Sequence, residues 1–274
     1  MDLTTILLLL LLGAGTGFLA GLLGIGGGMI MVPFVTMLLE NQGFAPELVI
    51  KVAIATSLTT ILFTSLSSVR AHHRRGGVLW RVAAVLAPGI VVGSFAGAQI
   101  AGALRGSLLA GFFGIFIAWA ATRMLAPTKR SAAAAAAAGL PGRAGMFGMG
   151  AVIGVFSALL GAGGAFLTVP FLTGRGVRPQ SAVGTSAACG FPIALSGTLG
   201  YVVAGMNVQL PAGTIGYVYL PALFTIAAAS VLTAPLGARA AHALPTEAMK
   251  KVFAFTLYAL AAFMLWKAYT LART

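Results

Sequence analysis

Two glycine clusters, each interrupting a long apolar run, are the residues in this sequence best suited to chemistry. The first break comprises Gly24–Gly28, and the second break comprises Gly161–Ala165. A short apolar segment with the sequence Val-Pro-Phe follows each break. Glycine weakens a helix, and a helix that restarts after such a break presents unbonded amides and the positive end of its dipole. Such a helix start is suited to binding an anion, and glycine lets the anion approach the backbone closely.

Hydroxyl groups recur at matching places after the two breaks. Thr56-Ser57 follows the first break, and Thr185-Ser186 follows the second. These side chains could donate hydrogen bonds to an anion held at the breaks. The candidate substrate-binding residues are therefore Gly24, Gly26, Gly27, Gly28, Thr56, Ser57, Gly161, Gly163, Gly164, Ala165, Thr185 and Ser186.

The composition is typical of a membrane protein with several spans. Hydrophobic residues make up 59% of the chain and charged residues only 8%. Apolar runs of about 20 residues are long enough to cross a bilayer. The formal net charge is +13, but the basic residues lie in loops between apolar runs, as cytoplasmic loops require. We therefore expect the lipid bilayer as a partner and no binding of nucleic acid.

The apolar segments form two similar sets of about four. Each set begins with a broken segment, and the landmarks after the break recur in the same order, which indicates an internal repeat. The predicted fold is an all-α polytopic membrane protein. Residues 1–126 form the first membrane repeat, residues 127–143 a cytoplasmic linker, and residues 144–274 the second repeat.

The charges in the loops favour two inverted repeats. If each break is the tip of a hairpin, the loops at Arg74, Lys129, Arg175 and Lys250 all become cytoplasmic, as the positive-inside rule demands. The competing arrangement counts each broken segment as one crossing. It gives eight spans with parallel halves and places Arg239 and Lys250 outside.

Several kinds of chemistry have no suitable residues in the sequence. The four carboxylates are Asp2, Glu40, Glu47 and Glu247, all in loops or at segment ends, so an intramembrane proton relay is disfavoured. No cluster has the spacing of metal ligands, and no nucleophile has a base beside it within the membrane. We expect no metal, no cofactor and no enzymatic activity.

The sequence resembles the sulfite exporter TauE/SafE family, also called the toluene-sulfonate uptake permease family. The resemblance rests on Gly21–Gly28 through Val32-Pro33 with Ala55–Ser57, and on Gly161–Gly164 through Val169-Pro170 with Gly184–Ser186. It covers almost the whole chain. One departure from the pattern is Ala165, which stands where the first half has Gly28, and it suggests that the two breaks contribute unequally.

The resemblance implies a carrier in the prokaryotic cytoplasmic membrane for sulfite, an organosulfonate or another small sulfur-containing anion. Export is the expected direction, with no cofactor. Two alternatives remain open: an importer of another small anion, and a membrane assembly protein whose glycines pack against a partner and which transports nothing. The sequence assigns neither a coupling ion nor an oligomeric state.

Overall fold

The computed structural model describes residues 3–23, 27–40, 42–125, 139–240 and 246–273. Within these ranges, the side chains of residues 22–23, 238 and 246–253 are excepted. The described chain is almost entirely helical, as the sequence predicts. The helices are α1 (Leu3–Leu23), α2 (Gly28–Glu40), α3 (Pro46–His73), α4 (Trp80–Ala103), α5 (Gly106–Leu125), α6 (Arg143–Leu160), α7 (Ala165–Thr173), α8 (Pro179–Gly205), α9 (Leu220–Ala240) and α10 (Thr246–Arg273).

Eight of the described helices are long and apolar enough to cross a membrane. The two short helices, α2 and α7, follow the two breaks. A two-stranded antiparallel hairpin of β1 (Thr214–Ile215) and β2 (Val218–Tyr219) precedes α9. The all-α, multi-pass architecture expected from the composition is therefore confirmed.

Glycine determines how closely α4 and α6 approach each other. A Cβ atom on Gly93 would collide with the carbonyl oxygen of Ala151, and one on Gly154 would lie 2.5 Å from the carbonyl oxygen of Ile90. Between apolar helices in lipid, small residues of this kind allow backbones to pack directly. The two helices are parallel, because successive contacts advance along both chains in the same direction.

The other long helices also pair across the two halves of the chain. Helix α1 runs parallel to α9, with Gly13 against Ile226 and Gly17 against Ser230. Helix α3 runs antiparallel to α8, and α5 runs antiparallel to α10. Each close pair therefore joins one helix from residues 3–125 to one from residues 139–273.

One end of the bundle, here called the arginine-rich end, contains the loops 74–79 and 174–178. Gly184 packs against Gly77 there, and Arg175 donates a hydrogen bond to the carbonyl oxygen of Gly139 at 3.1 Å. The helix directions also bring most of the described arginines to this end, whereas Arg105 and Arg273 lie at the opposite end. The arginines at the arginine-rich end are Arg70, Arg74, Arg75, Arg81, Arg123, Arg143, Arg175, Arg178 and Arg239.

The opposite end holds both acidic side chains that the structure describes. Glu40 closes α2 and forms an ion pair with Lys267 at 2.9 Å. Glu47 accepts a hydrogen bond from the backbone N–H of Gly106 at 2.9 Å. Because α1 starts at this end and α2 returns to it, the two helices form a hairpin with the first break at its tip. Helices α6 and α7 form the corresponding hairpin from the arginine-rich end.

The tight glycine contact between α4 and α6 makes a prediction about stability. Gly93→Ala is expected to lower the free energy of unfolding by about 1–3 kcal/mol, because the added methyl group overpacks a backbone contact. Thermal unfolding in detergent micelles, followed by intrinsic fluorescence, would measure the change.

The matched control is Gly148→Ala on the exposed face of α6. A Cβ at Gly148 would meet nothing within 4 Å, and alanine is the better helix former. This variant is therefore expected to be as stable as the wild type or slightly more stable. Equal unfolding temperatures for the two variants would contradict the packing argument.

Candidate functional site

The two breaks lie directly against each other in the interior of the bundle. A Cβ atom on Gly28, the first residue of α2, would collide with the carbonyl oxygen of Gly161 and lie 2.9 Å from the Cα atom of Ala162. Gly161 in turn lies against Val32 and the backbone of Ile54. The glycine breaks therefore bring the tips of both hairpins into contact through their backbones.

Gly161 ends α6 because only glycine easily adopts the backbone conformation that is required there. Its φ is +58°, in the left-handed region. The N–H of Ala162 bonds to the carbonyl oxygen of Ser157, and the N–H of Gly161 bonds to that of Ala158. This pair of bonds is the Schellman motif, which satisfies the last carbonyl groups of a helix. This structural role in ending α6 is sufficient to explain why a glycine occupies position 161.

The start of α7 has the features expected of an anion site. Gly164 precedes the helix with a φ of +76°, and its carbonyl oxygen accepts from the N–H groups of Leu167 and Thr168. The N–H groups of Ala165 and Phe166 have no acceptor among the described residues. They are the unbonded amides that a helix start leaves available.

The difference between Gly28 and Ala165 also has a physical reason. Ala165 is buried, and its methyl group is accommodated, whereas any methyl group on Gly28 would strike Gly161. The first helix start is therefore in contact with the second break, while the second helix start is not subject to the same restriction.

A cavity lies beside the second break, between α1, α3 and α8. The cavity is small and open at its mouth, with room for about one or two water molecules. Gly163 and Ser186, two of the predicted residues, line it. The other lining residues are Ala20, Ile61, Thr64, Ser65, Ser68, Ala187 and Gly190.

Two serine hydroxyls at this cavity have no partner in the described structure. The Oγ atoms of Ser68 and Ser186 are buried and make no hydrogen bond, and the two residues are 5% and 0% exposed. Thr64 and Ser65, by contrast, donate to carbonyl groups of their own helix. A buried hydroxyl without a partner is costly, and it commonly marks a place for water or a ligand.

Both predicted threonines hold the start of a helix from the other half of the chain. The Oγ1 atom of Thr56 accepts a hydrogen bond at 3.0 Å from the N–H of Tyr219, directly before α9. The Oγ1 atom of Thr185 accepts one at 3.0 Å from the N–H of Leu79, directly before α4. Each bond satisfies an amide that would otherwise be unpaired at a helix start.

The serine of each Thr-Ser pair remains without a partner. Ser57 and Ser186 are both 0% exposed, and neither Oγ atom makes a hydrogen bond in the described structure. Ser157 on α6, beside Gly164, is another such hydroxyl, and sequence reasoning did not single it out. Nothing in its local sequence distinguishes it from other serines in apolar helices.

The first break is described only in part. Gly27 has a φ of +67° and lies against Thr16 of α1. Gly24 and Gly26 lie outside the described residues. Across the part of the chain that the structure describes, no three His, Cys, Asp or Glu side chains are grouped to hold a metal ion.

Sequence reasoning also overlooked a buried cation. Lys51 lies in the second turn of α3 and is 7% exposed. The segment around Lys51 is so apolar that its average hydropathy alone gave no indication of a charged residue. A lysine within a membrane helix is itself the signal that could have identified it.

Comparison with known families gives one match over nearly the whole chain. The model of the family described as "Sulfite exporter TauE/SafE" matches residues 9–264. No solved structure matches the chain.

Curated relatives come from bacteria and archaea. A probable membrane transporter protein of Haemophilus influenzae is 38% identical over 265 residues, covering 96% of this chain and 99% of the relative. The probable membrane transporter protein YdhB of Bacillus subtilis is 26% identical over 76% of this chain and 86% of its own. The probable membrane transporter protein MJ0441 of Methanocaldococcus jannaschii is 24% identical over 94% of both chains.

The two threonine bonds predict different roles for the two residues of a Thr-Ser pair. Thr185→Val is expected to lower the free energy of unfolding by about 1–3 kcal/mol, because the N–H of Leu79 loses its acceptor in a buried place. Thermal unfolding of the purified protein would measure this loss.

Thr185→Ser retains the hydroxyl and is the matched control, with stability near that of the wild type. Ser186→Ala is expected to leave stability unchanged or to raise it slightly, because it removes a hydroxyl that has no partner. If Ser186→Ala lowered the free energy of unfolding more than Thr185→Val, the assignment of a structural role to the threonine and not to the serine would be wrong.

Proposed function

Because the chain belongs to the sulfite exporter TauE/SafE family of membrane transporters, we propose that it is a secondary carrier of a small sulfur-containing oxyanion. The substrate is sulfite or an organosulfonate, and it is exported across the prokaryotic cytoplasmic membrane. The observation that carries this proposal is the cavity at the second break, with the unpartnered hydroxyls of Ser68 and Ser186 on its wall.

The groups around the cavity suit an oxyanion. Two hydroxyls can donate to its oxygen atoms, and the N–H groups of Ala165 and Phe166 begin a helix directly after the lining residue Gly163. A site made of hydroxyls and a helix start binds an anion without a permanent cation beside it. The predicted glycines at the first break, together with Thr56 and Ser57, complete the proposed site from the other half.

The transport cycle in this proposal depends on two inverted repeats, residues 1–126 and 144–274, joined by a cytoplasmic linker at 127–143. The opposite directions of the two hairpins and the pairing of each helix with one from the other half support this arrangement. The arginine-rich end is placed in the cytoplasm, because basic residues are retained on that side. The end that holds Glu40 and Glu47 then faces outward.

The membrane potential favours export of an anion. In a cell with a negative interior, outward movement of one negative charge is downhill by about 2.3 kcal/mol for each 100 mV. This gradient is sufficient for export without a coupled proton. It agrees with the placement of both described acidic side chains at one end of the bundle rather than in its interior.

The cavity hydroxyls lead to a prediction about transport. Ser68→Ala and Ser186→Ala are expected to lower the initial rate of sulfite flux by about ten-fold each, since a hydrogen bond to a charged group is worth about 1.5–3 kcal/mol. Purified protein in liposomes under an imposed potential provides the measurement, with an organosulfonate, sulfate and chloride compared in parallel.

Ser94→Ala is the matched control for this experiment. Ser94 is also a buried serine without a partner, but it lies in α4 against Gly154 of α6, away from the cavity. Its flux is expected to equal that of the wild type. Flux that survives in both cavity variants would move the site elsewhere, and the absence of flux with the wild type would refute the proposed substrate.

The contact between the breaks gives a second transport prediction. Gly28→Ala is expected to abolish most saturable sulfite flux, because its methyl group would collide with Gly161 and prevent the hairpin tips from closing against each other. The matched control, Ala165→Gly, changes the corresponding residue of the second half by one methyl group without creating a collision. Both variants would be assayed in liposomes after size-exclusion chromatography confirms that they are folded. Equal flux from the two variants would contradict a role for the contact.

A further inference from the structure

The side chain of Lys51 is buried inside the bundle, and no carboxylate that the structure describes contacts its ammonium group directly. Its Nζ atom donates a hydrogen bond at 2.7 Å to the carbonyl oxygen of Gly102, near the end of α4. The same atom lies 5.8 Å from the centre of the Tyr217 ring, within the range of a cation–π contact. An ammonium group has three N–H donors, and these contacts engage only part of that capacity.

The nearest acidic residue in the sequence compensates Lys51 only at a distance. Glu47 lies one helical turn earlier and attracts the ammonium group electrostatically, but the described structure shows no direct ion pair between the two side chains. Instead, the carboxylate of Glu47 accepts from the N–H of Gly106. A buried cation that no carboxylate contacts directly is costly, and charged residues within a membrane helix commonly mark a functional site.

Lys51 lies close to the break contact, on the side away from the cavity. Ile54, the third residue after Lys51, touches Gly161 through its backbone. The cavity begins at Ile61 of the same helix, ten residues and about 15 Å further along. The lysine and the cavity are therefore separated along α3 by the place where the two hairpin tips meet.

Two tyrosines connect Lys51 to the second break by another route. The Tyr217 ring packs edge-on against Tyr201, and the Tyr201 hydroxyl donates at 3.0 Å to the carbonyl oxygen of Ala158, in the last turn of α6. Burial raises the pKa of Tyr217, so its phenol remains neutral at physiological pH.

We propose that Lys51 is a second binding site for the transported oxyanion, between the break contact and the outward-facing end of the bundle. The ammonium group releases the carbonyl oxygen of Gly102 and binds the anion after it passes the hairpin tips. This inference rests on the proposed function, because it takes the oxyanion as the transported species. Lys51 would supply a full positive charge, which the hydroxyls and helix starts of the first site do not provide.

The test compares neutral and charged replacements of Lys51 by the concentration dependence of sulfite flux in liposomes. Lys51→Met and Lys51→Gln are expected to raise KM by about ten-fold or more, because a hydrogen bond to a charged group is lost. Lys51→Arg keeps the charge and is expected to retain a KM close to that of the wild type. Arg105→Gln removes an exposed cation from the same end and controls for general attraction of anions.

Thermal unfolding separates a binding role from a structural one. Removal of a buried cation also removes its desolvation cost, so Lys51→Met is expected to unfold at the same temperature as the wild type or higher. A raised KM at undiminished stability supports the proposal. If Lys51→Met is less stable than the wild type, the KM of Lys51→Arg becomes the deciding measurement. A KM near that of the wild type supports anion binding by Lys51, and a raised KM overturns the inference.

Two further outcomes would also overturn the inference, and they are distinguishable. An unchanged KM in both neutral variants, with normal wild-type flux, would reject Lys51 as a binding site and leave the proposed function intact. An equal rise in KM for Arg105→Gln would show that Lys51 acts only by general electrostatic attraction of anions and not by binding them. If the wild type moved no sulfur oxyanion at all, the proposed function would fail, and the inference would fail with it.

Discussion

Backbone amide and carbonyl groups inside a membrane must find partners within the protein or in a cavity that admits water or a ligand, because lipid offers none. This constraint decides where the chain can stop being helical. At the second break, the Schellman bonds around Gly161 satisfy the end of α6, and the carbonyl oxygen of Gly161 lies against Gly28 of the other hairpin. At the helix starts before α4 and α9, Thr185 and Thr56 accept from otherwise unpaired amides. The breaks in helical structure are therefore gathered where the two halves of the chain meet.

The same constraint explains why the sequence predicted the helices well and the roles of their polar residues less well. Apolar segments and glycine breaks are local signals, so the short helices α2 and α7 were expected. The threonine of each Thr-Ser pair was predicted to bind substrate, and the sequence did not indicate that its hydroxyl oxygen accepts from a backbone amide of the other half. That amide is remote in sequence, 163 residues away in the case of Thr56, so no local sequence pattern predicts the hydrogen bond.

Partner choice between helices was also beyond the reach of the sequence. The glycines of α4 predict close approach to another helix, but they do not say which one, and only the folded bundle shows that α6 fills that face. Lys51 was missed for a different reason. One charge within a long apolar helix scarcely changes its average hydropathy, although it dominates the local electrostatics once the helix is buried.

The two polar features of the bundle lie on opposite sides of one backbone contact. The cavity with Ser68 and Ser186 lies towards the arginine-rich end, and Lys51 lies towards the other end. Between them, Gly28 touches Gly161 without any side chain in the way. A closure made of backbone atoms leaves no passage for an anion, but a small separation of the hairpin tips would remove it. In the proposed transport cycle, the hydroxyls hold the anion on one side of this closure and the ammonium group attracts it on the other. Alternating access then requires the two hairpins to move relative to each other.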